Sequence, residues 1–117
     1  NLDKSLYWVL HALEREPLFA PAHYLHSLLL QEFGQLDQSL EAARRCLYSE
    51  PSFLMGYLRM ADLQKLLFQP KKALKTLTNL EVLLNKLNKD GLIPEGNGMT
   101  VSFLTEIVSA QKEFLEL

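Results

Sequence analysis

Pro17 and Pro51 stand 34 residues apart, and much of the chain superposes on itself at that step. A shift of 34 places Phe19 on Phe53, His23 on Tyr57, Ser27 on Ala61, Leu29 on Leu63, Ser39 on Ala73 and Leu40 on Leu74. Small residues fall on small ones, and large apolar residues mostly on large apolar ones. A unit repeated at a fixed period of this size cannot bury its apolar face alone, so copies must stack and share a continuous core. The expected architecture is therefore all-α, a curved stack of antiparallel helix pairs.

The helices follow from local spacing. Residues 3–16 place Leu6, Val9, Leu10 and Leu13 on one helical face. Ser5, Val9 and Ala12, followed by Pro17, match the spacing of Ser39, Ala43 and Cys46, followed by Pro51. The first segment (1–17) thus reads as the second helix of a partial repeat. A full repeat spans 20–51, with a helix over 20–33, a turn at Gly34 and a second helix over about 37–49 capped by Asp37. The next repeat spans 53–87, with Phe68-Gln69 in place of the glycine turn and Pro70 opening its second helix. Residues 88–99 hold three glycines and a proline and are predicted to be a loop. Thr100 then caps a last helix within 100–117, with Val101, Leu104, Ile107, Val108 and Leu115 on one side. That helix is expected to close one end of the stack, and nothing comparable closes the other.

At 117 residues there is room for a single domain. No apolar run approaches membrane-spanning length, and no basic-then-apolar leader opens the chain. The expectation is a cytoplasmic domain without membrane insertion and, with Asn1 as its first residue, a piece of a longer protein. The lone Cys46 excludes an internal disulfide and a cysteine-based zinc site. The net charge of −2 is unevenly placed: residues 1–50 carry −3, residues 51–91 carry +4 and residues 92–117 carry −3. A basic middle can steer an acidic partner, although a charge bias of this kind reads first as a solvated face.

Measured against the pattern W-x2-L-G-x2-Y, A-x3-F, A, P, the first full repeat holds His23, His26, Ser27, Leu30, Ser39, Ala43, Cys46 and Pro51. The second holds Tyr57, Met60, Ala61, Gln64, Ala73, Leu77 and Leu80, with Asn85 in place of the proline. In period and in its alternation of small and large residues the chain resembles tetratricopeptide repeats (TPR). That likeness implies a right-handed superhelix of antiparallel helix pairs with a C-terminal capping helix.

A narrower likeness lies in Ala22–Ala43, in Arg44-Arg45-Cys46-Leu47-Tyr48 with Pro51-Ser52-Phe53, and in Leu92-Ile93-Pro94-Glu95-Gly96-Asn97-Gly98-Met99-Thr100 with Leu104 and Ile107-Val108. These stretches resemble the TPR region attached to chemotaxis methyltransferases of the CheR type. The resemblance implies a regulatory or targeting module in bacterial chemosensory signalling, C-terminal to a catalytic domain that methylates chemoreceptor glutamates from S-adenosylmethionine. It implies a protein or peptide partner, such as a chemoreceptor segment or a signalling protein. A free-standing TPR scaffold in an unrelated assembly or secretion system is the alternative. No catalytic residue, cofactor or metal is expected within these residues; Gly96-Asn97-Gly98 follows a loop rather than a strand and reads as a turn, not as an adenosyl-cofactor motif.

Helical spacing places Tyr24, Leu28, Gln31 and Glu32 from the first repeat, and Met55, Leu58, Arg59, Asp62 and Lys65 from the second, on the concave wall. The candidate partner-binding groove comprises Tyr24, Leu28, Gln31, Met55, Leu58, Arg59, Asp62 and Lys65, an apolar strip beside two cations. Tyr24, Leu28 and Asp62 stand where a TPR carboxylate clamp would need lysine or asparagine, which argues against that mode. His23 and His26 read as packing residues rather than metal ligands, and Cys46 as an inert core thiol. Lys71, Lys72 and Lys75 read as a solvated convex face, too sparse a basic stripe for nucleic acid. Trp8 reads as core of the partial repeat.

Overall fold

The computed structural model describes residues 1–117 as six helices: α1 (Leu2–Arg15), α2 (Ala20–Glu32), α3 (Leu36–Ser49), α4 (Leu54–Leu66), α5 (Pro70–Leu84) and α6 (Val101–Leu115). Each helix packs on the next in chain order. The 34-residue period is visible bond by bond. His23 Nε2 lies 2.7 Å from the Pro17 carbonyl, and the Tyr57 hydroxyl donates to the Pro51 carbonyl at 2.7 Å. At the turn within each pair, Gln35 N–H donates to Leu30 O at 2.9 Å and Gln69 N–H to Gln64 O at 2.8 Å. Both turns need a left-handed residue, supplied by Gly34 at φ 77° and by Phe68 at φ 59°.

Small residues set the approach of the helices within a pair. Ser27 and Ser39 are fully buried where α2 meets α3, and each hydroxyl donates to the other's carbonyl, at 2.8 and 2.6 Å. Ala61 and Ala73 occupy the equivalent places between α4 and α5, also fully buried. There the polar link moves along the helices, to Thr76 Oγ1 donating to Gln64 Oε1 at 2.7 Å.

The largest cluster of buried side chains is not central. Leu54 and Ala61 of α4, Leu77, Leu80 and Leu84 of α5, Ile93 of the loop, and Val101, Leu104 and Val108 of α6 form it together. The smaller clusters lie further toward the N-terminus, around Ala20, Cys46 and Phe53 and around Leu40, Ala43 and Leu63. Thr100 caps α6 by accepting from Phe103 N–H at 3.1 Å, and α6 packs on α5 at the C-terminal end of the stack. The segment before it turns back on itself, with Ile93 N–H donating to Met99 O at 2.8 Å and Val101 N–H to Gly91 O at 2.9 Å.

Three expectations need correction. Asp37 is not a cap: α3 starts at Leu36 after Gln35, which makes no side-chain cap bond, and Asp37 lies in the first turn, where its charge suits the helix dipole. The Gln35 carbonyl accepts the first helical bond, from Ser39 N–H at 2.9 Å, so the helix starts before Asp37. The second helix of the second repeat, expected within 53–87, ends at Leu84, and the chain beyond it carries Ile93 into the main cluster. Trp8 is 59% exposed rather than core. α1 has a single helical neighbour and buries only Val9, leaving Trp8 edgewise among Tyr7 and His11.

Candidate partner-binding groove

The side chains expected on the concave wall come from α2 and α4, and α6 with its preceding loop stands beside them. They divide into separate regions. Tyr24 of α2 and Met55 of α4 open onto a cavity of about 730 Å³ whose remaining wall is Glu95 to Thr100 and Phe103. Gln31, Arg59, Asp62, Lys65 and Leu66 line a second, more polar cavity of about 410 Å³.

Leu28 belongs to neither. It lines an apolar cavity between α1 and α2 with Trp8, Val9, Leu25 and Leu29. Leu58 is half-buried and packs against the main cluster. The expected apolar strip of Tyr24, Leu28, Leu58 and Met55 is therefore discontinuous, with only Tyr24 and Met55 sharing a cavity. Tyr24 is steadied by Phe53, the ring centroids 5.5 Å apart.

Arg59 joins the two repeats. Its Nε donates to Ser27 Oγ at 3.2 Å and its Nη2 donates to Gln31 Oε1, both on α2. Burial lowers the Arg59 pKa, opposed by the nearby Asp62 carboxylate; a guanidinium nonetheless keeps its charge at neutral pH. Burial raises the Tyr24 phenol, with the Arg59 cation pulling the other way. Yet no carboxylate oxygen approaches the guanidinium within 4.0 Å. The ion pairs of the molecule are Arg44–Glu41, Lys65–Asp62 and Lys112–Glu81. Asp62 faces Lys65 at 3.3 Å, and Lys65 also donates to Gln111 Oε1 of α6 at 2.8 Å.

Residues that helical spacing passed over form seven of the nine that line the larger cavity. Glu95 and Asn97 have positive φ, 64° and 56°, and Gly96 is buried against Ile93, which presents Glu95, Asn97 and Met99 to the cavity. Phe103 remains 54% exposed at its edge. The sequence marked Glu95 to Thr100 only by the glycine-rich composition of the loop and by its family likeness, and gave no signal for Phe103.

The other chemistry-bearing residues are quiet. Cys46 is fully buried, and burial pushes its thiol up to about 12, so it stays protonated. Burial, with His23 next, lowers the pKa of His26. No three His, Cys, Asp or Glu side chains converge as a metal site would require. No helix is long and apolar enough to cross a membrane.

No protein-family model matches the chain, and no curated protein matches it. Among solved structures it is similar to the TPR2B domain of yeast Sti1 in complex with pHsp70. The TM-score is 0.71 at 17% sequence identity, over 94% of this chain and 84% of that one. The fold is that of a TPR domain. At this identity the likeness extends to architecture alone, and the residues of the groove are this chain's own.

Proposed function

We propose that the domain is a protein–protein interaction module that takes a segment of a partner protein along the α2–α4 wall. The observation that carries the reading is the pairing of an aromatic-lined cavity at Tyr24 and Met55 with a polar one at Arg59 and Lys65, both walled in part by α4. Occupation of a domain of the same fold by pHsp70 supports a protein ligand.

The finer reading is a regulatory or targeting module of a CheR-like chemoreceptor glutamate methyltransferase in bacterial chemosensory signalling. Its support is the sequence from Ala22 to Phe53 and the closing segment Leu92 to Val108. In that setting the module holds the attached enzyme near its substrate, raising local concentration without taking part in the chemistry.

Two experiments test these levels separately. The double variant Tyr24→Ala, Phe103→Ala removes the aromatic walls of the larger cavity and is expected to weaken capture of a chemoreceptor cytoplasmic fragment by tenfold or more, by ~1–2 kcal/mol per anchor. Unchanged capture by a variant of wild-type helicity sinks the groove. The parent is tested by sequencing the gene upstream of the Asn1 codon. A frame encoding a strand–GxGxG–helix domain supports the methyltransferase, whereas further repeats or a nearby start codon favour a free-standing scaffold.

A further inference from the structure

The geometry points to Arg59 as the specificity-determining residue of the groove, receiving an acidic side chain of the bound segment two or three positions from a large apolar residue. This rests on the reading of the groove as a partner-binding site and adds the chemistry of the partner.

The Arg59 guanidinium is half-buried, yet its protein partners are neutral, the Ser27 hydroxyl and the Gln31 amide oxygen. The nearby acids Asp62 and Glu32 act on it only through the field, with Asp62 paired to Lys65 at 3.3 Å. Guanidinium has five N–H donors in a planar fork, and those two bonds leave donors free beside the cavity that Arg59 lines. A half-buried cation with no carboxylate in direct contact keeps unmet bonding capacity, and a carboxylate brought by a ligand fills it with charge-assisted bonds. An amine or a neutral polar group does not.

The spacing comes from the helices. Met55 and Arg59 are four residues apart on α4, about 6 Å along the axis, and Tyr24 and Gln31 are seven apart on α2, about 10 Å. An extended segment advances about 3.3 Å per residue, so the apolar cavity and the cation are bridged in two or three residues. Glu95 on the cavity wall disfavours a second acid at the apolar end. The ligand is thus an internal segment with its charge on one side of its apolar anchor. A free C-terminus is not required, because the acid is a side chain.

The test is a titration of the whole 117-residue chain with acetylated, amidated, dye-labelled peptides read by fluorescence anisotropy. Each carries one leucine and one glutamate in a glycine–serine background, at separations from one to six. Expected are tightest binding at a separation of two or three and about tenfold loss when the peptide glutamate becomes glutamine. Arg59→Met should abolish that glutamate–glutamine difference, and Arg59→Glu should prefer a lysine peptide. The glutamine comparison uses the unaltered protein and stands even where a variant does not fold. Equal binding of glutamate and glutamine peptides, or tight binding that needs only a free C-terminal carboxylate, overturns the inference while leaving the groove reading intact. Absence of binding by every peptide overturns both.

Discussion

Phe68 stands where the first repeat has Gly34, and the turn forces both into the left-handed region. The Phe68 ring is 91% exposed and gains little packing in return. A side chain there costs about 1–2 kcal/mol, part of which a glycine would give back through the entropy of the unfolded chain. Phe68→Gly should therefore raise stability by about 0.5–1 kcal/mol in urea unfolding. Gly34→Ala should lower it by about 1 kcal/mol, for conformational reasons alone, since nothing lies within 4 Å of the added Cβ. His26 gives a second prediction at this scale. Burial holds its folded pKa below the ordinary 6.5, with the charges of His23 and Arg45 acting in the same direction. The unfolded chain then binds the proton more readily, so stability is full above pH about 6.5 and declines as pH falls below it. His26→Met, the residue its counterpart Met60 supplies, should flatten urea midpoints across that window.

Among the elements, the segment between α5 and α6 supplies most of the wall of the larger cavity. A Cβ on Gly96 would lie 2.8 Å from Ile93 Cβ and 2.9 Å from Ile93 O. Neither atom is the free end of a side chain, so the loop must open. Gly96→Ala should cost about 1–3 kcal/mol and weaken partner capture, since Met99 and Phe103 lose their places; undiminished capture would separate the loop from the site. The helices themselves were legible in the sequence because proline spacing, small residues and apolar period agree over most of the stretch from Pro17 to Leu80. The loop's share was not, since residues 88–99 have no period from which a fold-back can be read. Leu28 shows a different limit. α2 carries apolar side chains around most of its girth, so spacing says which residues share a face but not whether α1 or the groove lies opposite. Phe103 was passed over because its neighbours Val101 and Leu104 face the core and it does not.

Across the whole molecule, burial is graded. The nine-residue cluster lies at the α4–α6 end, whereas α1 buries one residue and leaves Tyr7, Trp8 and Leu10 exposed. Native-state hydrogen exchange should show α1 amides opening at far lower free energy than those of α5 and α6, which should exchange near the global limit. Uniform protection along the chain would contradict that gradient. A stack of pairwise contacts allows such graded opening because each unit touches only its neighbours. The Arg59 link bears on the same property. A guanidinium in α4 fastened to Ser27 and Gln31 of α2 acts as a pin through two successive repeats. Any flexing of the superhelix that changes the angle between them must drag the cation along, so the curvature of the domain and the position of its charge are one mechanical variable.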